Sequence, residues 1–132
     1  MIVTFPPIFP SNPFFKANHP IKKAFDKGLM PEVKKGLLGH EIDKETRSLE
    51  HLTPKSLGGG LEWENVAITH KVANSKRGLT PIEELVTKQM WIDYLKQFIN
   101  VKNQYIDGIK YIKGLCKRFK IDIKEVLKWL KT

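Results

Sequence analysis

From Thr80 onward, apolar residues return every three or four positions. Ile82, Leu85, Val86, Leu95, Phe98 and Ile99 share one stripe, with Trp91 and Ile92 beside it. That period predicts helix. Thr80-Pro81-Ile82-Glu83 predicts its start, a capping box with proline at the first helical position. Tyr105, Ile109, Ile112, Cys116 and Phe119 form a second amphipathic stretch. Asp122 and Glu125 make a cap-like pair before a last short helix with Val126, Leu127 and Leu130. Upstream the pattern changes. Residues 47–53 end at Pro54 and read as a strand, residues 55–60 as a glycine-rich loop, and the partly β-branched residues 66–69 as a second strand. A short helix over 71–76 should stop at Gly78. Residues 20–35 predict helix in two short pieces, with Pro20 and Pro31 in first turns and Gly28 and Gly36 at the ends. Residues 1–18 hold Pro6, Pro7, Pro10 and Pro13, which forbid a helix interior. They predict an extended strap whose Phe5, Phe9, Phe14 and Phe15 dock on the core.

The fold class that follows is α+β in a single domain, as a chain of 132 residues suggests. Its parts are an N-terminal strap with short helices (1–36), a strand–strand–helix core (37–79) and a C-terminal helical extension (80–132).

Charge adds a partner to this picture. Lys and Arg number 23 against 14 Asp and Glu, a net charge of +9, which favours a polyanion such as nucleic acid. Over residues 101–132, nine Lys or Arg oppose three Asp or Glu, and Lys110, Lys113 and Lys117 recur on one helical face. They read either as a solvated face or as a phosphate-binding stripe. Cys116 is the single cysteine, so neither an intrachain disulfide nor a cysteine-rich zinc site can form. This suits a reducing cytoplasm. No apolar stretch is long enough to cross a bilayer, so no membrane partner is expected.

Candidate chemistry concentrates in the core. Glu50 precedes His51, Asn65 follows His51 by 14 residues, and Asn74 follows Asn65 by 9. Pro54-Lys55-Ser56-Leu57-Gly58-Gly59-Gly60 lies between, and Ser75-Lys76-Arg77-Gly78 closes the pattern. Hydrolysis of a phosphodiester needs a base for the attacking water, and an imidazole with an ordinary pKa of ~6.5 is partly neutral at physiological pH. Carboxylate and amide oxygens are the donors a hard divalent cation takes.

These residues and intervals resemble the HNH endonuclease family, whose core is the ββα-metal fold. The resemblance spans roughly residues 37–79. It implies that His51 is the general base and that Asn65 holds the loop so that the base is aimed. It implies that Glu50 and Asn74 bind magnesium or manganese. Lys55, Ser56, Lys76 and Arg77 would meet the nucleic acid, with duplex DNA the expected substrate. Many members carry Asp where this chain has Glu50. Many also hold structural zinc in two CxxC knuckles. Here the second knuckle would fall at His70 and Ala73 and the first near Gly36 to Gly39, and neither exists. No structural zinc is therefore expected, as in the zinc-free HNH domains of RNA-guided nucleases. Two rivals stay open, an inactive nucleic-acid-binding module of the same fold and a nuclease toxin acting on RNA. His19, His40 and His70 are expected to cap or pack rather than to catalyse.

Overall fold

The computed structural model describes residues 19–128. The strap expected over residues 1–18 and Leu130, expected on the last helix, lie outside them. The described residues form a mixed helix-and-strand protein built on one two-stranded antiparallel sheet, an α+β arrangement.

Helix α1 (Pro20–Asp26) starts as its sequence suggests. His19 is its N-cap, accepting the Ile21 amide at Nδ1 (3.1 Å), and Pro20 fills a first-turn position where no amide donor is needed. The second helical piece expected before residue 35 is not formed. Residues 33–37 run instead against the sheet, where Leu37 N–H donates to Ile68 O at 2.8 Å. Gly36 allows this approach, because a Cβ there would stand 2.7 Å from Thr69 Cα. The need to cover a strand edge overrides local helix preference.

Strand β1 (Arg47–His51) pairs with β2 (Val66–His70), with Leu49 opposite Ile68 and His51 opposite Val66. Two strands alone are marginal, and this pair is supported along its open side. The Ile68 amide donates to the Tyr94 hydroxyl (2.9 Å), and the Tyr111 hydroxyl donates to Val66 O (2.7 Å). The two hydroxyls meet at 2.9 Å. Burial pushes both phenols above their ordinary pKa, so they stay protonated and able to donate. Helix α2 (Lys71–Arg77) follows β2 directly, with His70 as N-cap accepting Val72 N–H, and ends at Gly78 with φ 56°. Strand, strand and helix thus stand in the expected order, within a residue or two of the expected bounds.

Beyond Gly78 the capping box is absent. Pro81 is extended (φ −57°, ψ 136°) and leads into a single 3-10 turn, Ile82–Glu84. The helix α3 (Lys88–Leu95) begins later, where Thr87 Oγ1 accepts the Met90 amide. Thr80 is already engaged, since its carbonyl accepts Arg77 Nε–H at 2.8 Å. Helix α4 (Gly108–Phe119) is capped by Asp107 and α5 (Ile123–Leu127) by Asp122. Along α4, Tyr111, Ile112, Leu115 and Cys116 are buried while Lys110, Lys113 and Lys117 are exposed. Ile21, Leu49, Ile68, Leu95, Phe98 and Leu115 form the centre of the core that clamps the sheet between the helices. No helix among the described residues is long and apolar enough to cross a membrane.

Candidate functional site

Alternation along β1 sends neighbouring side chains to opposite faces. Ser48 and Glu50 share the face covered by α2. Leu49 and His51 share the other. Consecutive motif residues therefore enter different environments.

On the α2 face, Glu50 is 1% exposed, and its Oε2 accepts Arg77 Nη1–H at 2.6 Å. Arg77 is also buried. The same Nη1 donates to His51 O (2.9 Å), Nη2 donates to Leu52 O (2.7 Å), and Nε is held by Thr80. A guanidinium bound to one carboxylate and three carbonyls is a pin inside the fold. Arg77, expected at a phosphate, is thus placed otherwise: the fork that would recognise an anion is filled from within. Burial pushes Glu50 above the usual carboxylate range, while Arg77 and more weakly Thr69 pull it back. Its Oε1 is buried without a well-formed hydrogen bond. Asn74, half-buried, donates Nδ2–H to Ser48 Oγ at 3.1 Å, leaving its amide oxygen open.

The expected metal pair can be tested against this geometry. Glu50 does not fit a ligand's role as it stands, because it is sealed from solvent and neutralised by a guanidinium that would repel a cation. Asn74 does fit, offering a hard oxygen at a half-buried position. Among the described residues no group of three or more His, Cys, Asp or Glu is gathered in one place.

On the other face, His51 is half-buried at the end of β1, where the loop of residues 52–65 begins. Asn65 ties that loop with both ends of its amide. Oδ1 accepts Thr53 N–H at 2.7 Å, and Nδ2 donates to Thr53 O (3.2 Å) and Gly60 O (2.8 Å). The backbone repeats the link, Leu52 N–H to Asn65 O at 2.8 Å. Asn65 is buried and immobilised by these contacts, the part a loop-holding residue plays. Glycine is required beside it: a Cβ on Gly59 would stand 1.8 Å from Thr53 O and 2.7 Å from Asn65 Nδ2. Lys55 and Ser56, in the 3-10 turn Lys55–Leu57, are exposed on this loop, and Gly58 ends the turn with φ 96°.

Burial holds His51 below the ordinary imidazole pKa, the Lys55 charge lowers it further, and Glu62 opposes both. A second imidazole, His19, feels His51 and is itself lowered mainly by its own burial. It packs edge-on to Trp63, with ring centroids 4.8 Å apart. His19 was expected only to cap. It does cap, and it also lies near enough to His51 for the two charges to be felt. His70 and His40 stand 6.0 Å apart, centroid to centroid, at the far end of the sheet and away from the loop.

One residue of this site escaped sequence reasoning. Arg118 reaches from α4 to donate Nη1–H to Glu64 O and to Asn65 Oδ1, both at 2.7 Å, and Nη2–H to Thr53 Oγ1. It lies 53 residues beyond Asn65, on a helix where it read as one more basic side chain. No local signal distinguishes an arginine that binds a distant loop from one that faces water. Lys76 is exposed on α2, and Lys110, Lys113 and Lys117 form an outward row on α4.

Compared with protein-family models, with curated proteins and with solved structures, the chain matches none of them.

Proposed function

We propose that this protein is an HNH-type endonuclease that hydrolyses phosphodiester bonds of DNA with His51 as general base. The observation that carries the reading is the Asn65 amide, which binds Thr53 N–H, Thr53 O and Gly60 O and so fastens the loop that follows His51. This is what the motif's middle asparagine is for, at the motif's spacing. Supporting it, His51 is held neutral near pH 7 by burial and by Lys55, the form that accepts a proton. The neutral imidazole takes a proton from water as that water attacks phosphorus, the P–O bond to the 3′ oxygen breaks, and the departing oxygen takes its proton from solvent. Lys55 and Ser56 stand on the same loop to meet the phosphate oxygens.

The core would then be a ββα-metal core. Magnesium or manganese belongs to the proposal through the motif's resemblance, and when bound it would stabilise charge at the phosphate; of the expected ligands Asn74 keeps an unbonded amide oxygen, on the α2 face rather than the His51 face. Glu50 is left out of the ligand set on the geometry above.

Incubating supercoiled plasmid with magnesium, manganese or EDTA tests this. Wild type should cut with either metal and not with EDTA. His51→Ala should cut about 10²–10⁴-fold more slowly while still binding DNA. Equal rates for the two proteins would remove His51 as the base. Binding without cutting by wild type would favour the inactive module, and cutting of RNA alone would favour the toxin.

A further inference from the structure

We propose that Arg118 is a positioning residue for the His51 loop: from α4, its guanidinium joins Asn65 to Thr53 and so decides where His51 stands. The inference rests on the nuclease reading and deepens it, because it makes the C-terminal extension part of the catalytic apparatus rather than a handle for substrate.

Arg118 and the Thr53 amide share an acceptor on Asn65. Asn65 Oδ1 receives Thr53 N–H and Arg118 Nη1–H, both at 2.7 Å. Arg118 Nη1 also holds Glu64 O at 2.7 Å, and Nη2 holds Thr53 Oγ1. One planar fork thus grips both strands where they leave the sheet, on Thr53 two residues past His51 and on Asn65 at the start of β2. Charge-assisted bonds are shorter and stronger than neutral ones, so this fork stiffens the asparagine contact it shares. The helix that carries it is anchored independently by Tyr111 on Val66 O at 2.7 Å. Arg118 is also half-buried, with its guanidinium carbon 5.0 Å from the centre of the Phe119 ring. A lysine could reach one of these acceptors but not all three.

The test compares Arg118→Met, Arg118→Lys and Thr53→Val with wild type in plasmid cleavage and in NMR titration of His51. Arg118→Met should lower kcat about 10²-fold, the usual cost of an ~1 Å misplacement, with KM little changed. Arg118→Lys should recover part of that loss. Thr53→Val removes one acceptor only, so it should shift kcat in the same direction by less, and it keeps the question open to test where Arg118→Met folds poorly. The groups that face His51 are Lys55, Glu62 and His19. Loosening the loop draws His51 out of its cover and away from Lys55, so its titration and the acid limb of the kcat profile should both move up toward ~6.5. A loss confined to KM would make Arg118 a phosphate contact and overturn the proposal. So would an unmoved His51 titration in both arginine variants. The NMR arm reads the clamp whether or not the protein cuts, whereas wild type failing to cut would sink only the nuclease reading.

Discussion

Glu50 and His51 are adjacent in the chain and belong to opposite kinds of environment. Glu50 enters a sealed interior where Arg77 answers its charge and three carbonyls complete the arginine's bonds. His51 enters a half-buried position at the head of a loop, within the electrostatic reach of His19 and of two exposed charges of opposite sign, Lys55 and Glu62. The first face is organised to stay shut. The second keeps an ionisable group near water with its charge adjusted by neighbours, which is the condition for proton transfer. The pleat of one strand separates the two duties.

The comparison breaks most visibly at Arg77. Arg77→Met should cost about 3–5 kcal/mol, because it strands a buried carboxylate. Adding Glu50→Gln should recover a large part of that. Urea unfolding reads both variants. If Glu50 were instead a metal ligand, the double variant would need far more magnesium for half-maximal cleavage. On the structural reading that midpoint stays put. A cost for Arg77→Met within about 1 kcal/mol of zero would mean that the pair is open to solvent after all.

This pair also marks where the sequence stops being legible. Asn65 was readable as a loop-tying residue because its partners, Thr53 and Gly60, lie close to it in the chain. The strand bounds followed from Pro54 and from the β-branched run at Val66. Arg77 misled because an arginine near a proposed site looks the same whether its fork points outward or inward. What decides is Glu50 becoming buried, a tertiary fact. Arg118 was missed for the same reason at longer range. Thr80-Pro81-Ile82-Glu83 has the letters of a helix start, yet Arg77 claims the Thr80 carbonyl and the helix waits for Thr87.

Acidification should act first on the His51 side. His51 and His19 both have folded pKa values below the ordinary 6.5. Above that value neither state is protonated and nothing is lost. As pH falls through it, the unfolded chain takes up protons that the fold resists, so stability declines until the lowered folded values are passed. The slope is at most about 1.4 kcal/mol per pH unit for each proton. Glu50, raised in the fold, works the other way at lower pH, where the native state protonates first. Melting temperatures should therefore fall between about pH 7.5 and 5.5, and less steeply in His51→Ala. A flat profile in wild type would mean that the loop leaves both imidazoles solvated.

The smallest effect on folding should come from the outermost charges, and it decides which face meets a polyanion. Lys110, Lys113 and Lys117 are exposed on α4, the helix that braces the His51 loop, whereas Lys76 is exposed on α2, which covers Glu50. If the half-open face is the working one, changing the three α4 lysines to Gln should weaken DNA binding for all sequences alike. Each lysine that contacts phosphate should lower the log–log salt slope by about 0.9. Lys76→Gln should change the slope by no more than one such contact. Unfolding free energies should move by under about 1 kcal/mol in every case, since exposed charges contribute little to stability. A triple variant that keeps its affinity and slope would make the α4 row a solvated surface. The burden of phosphate binding would then fall on Lys55 and Ser56, exposed on the loop that follows His51.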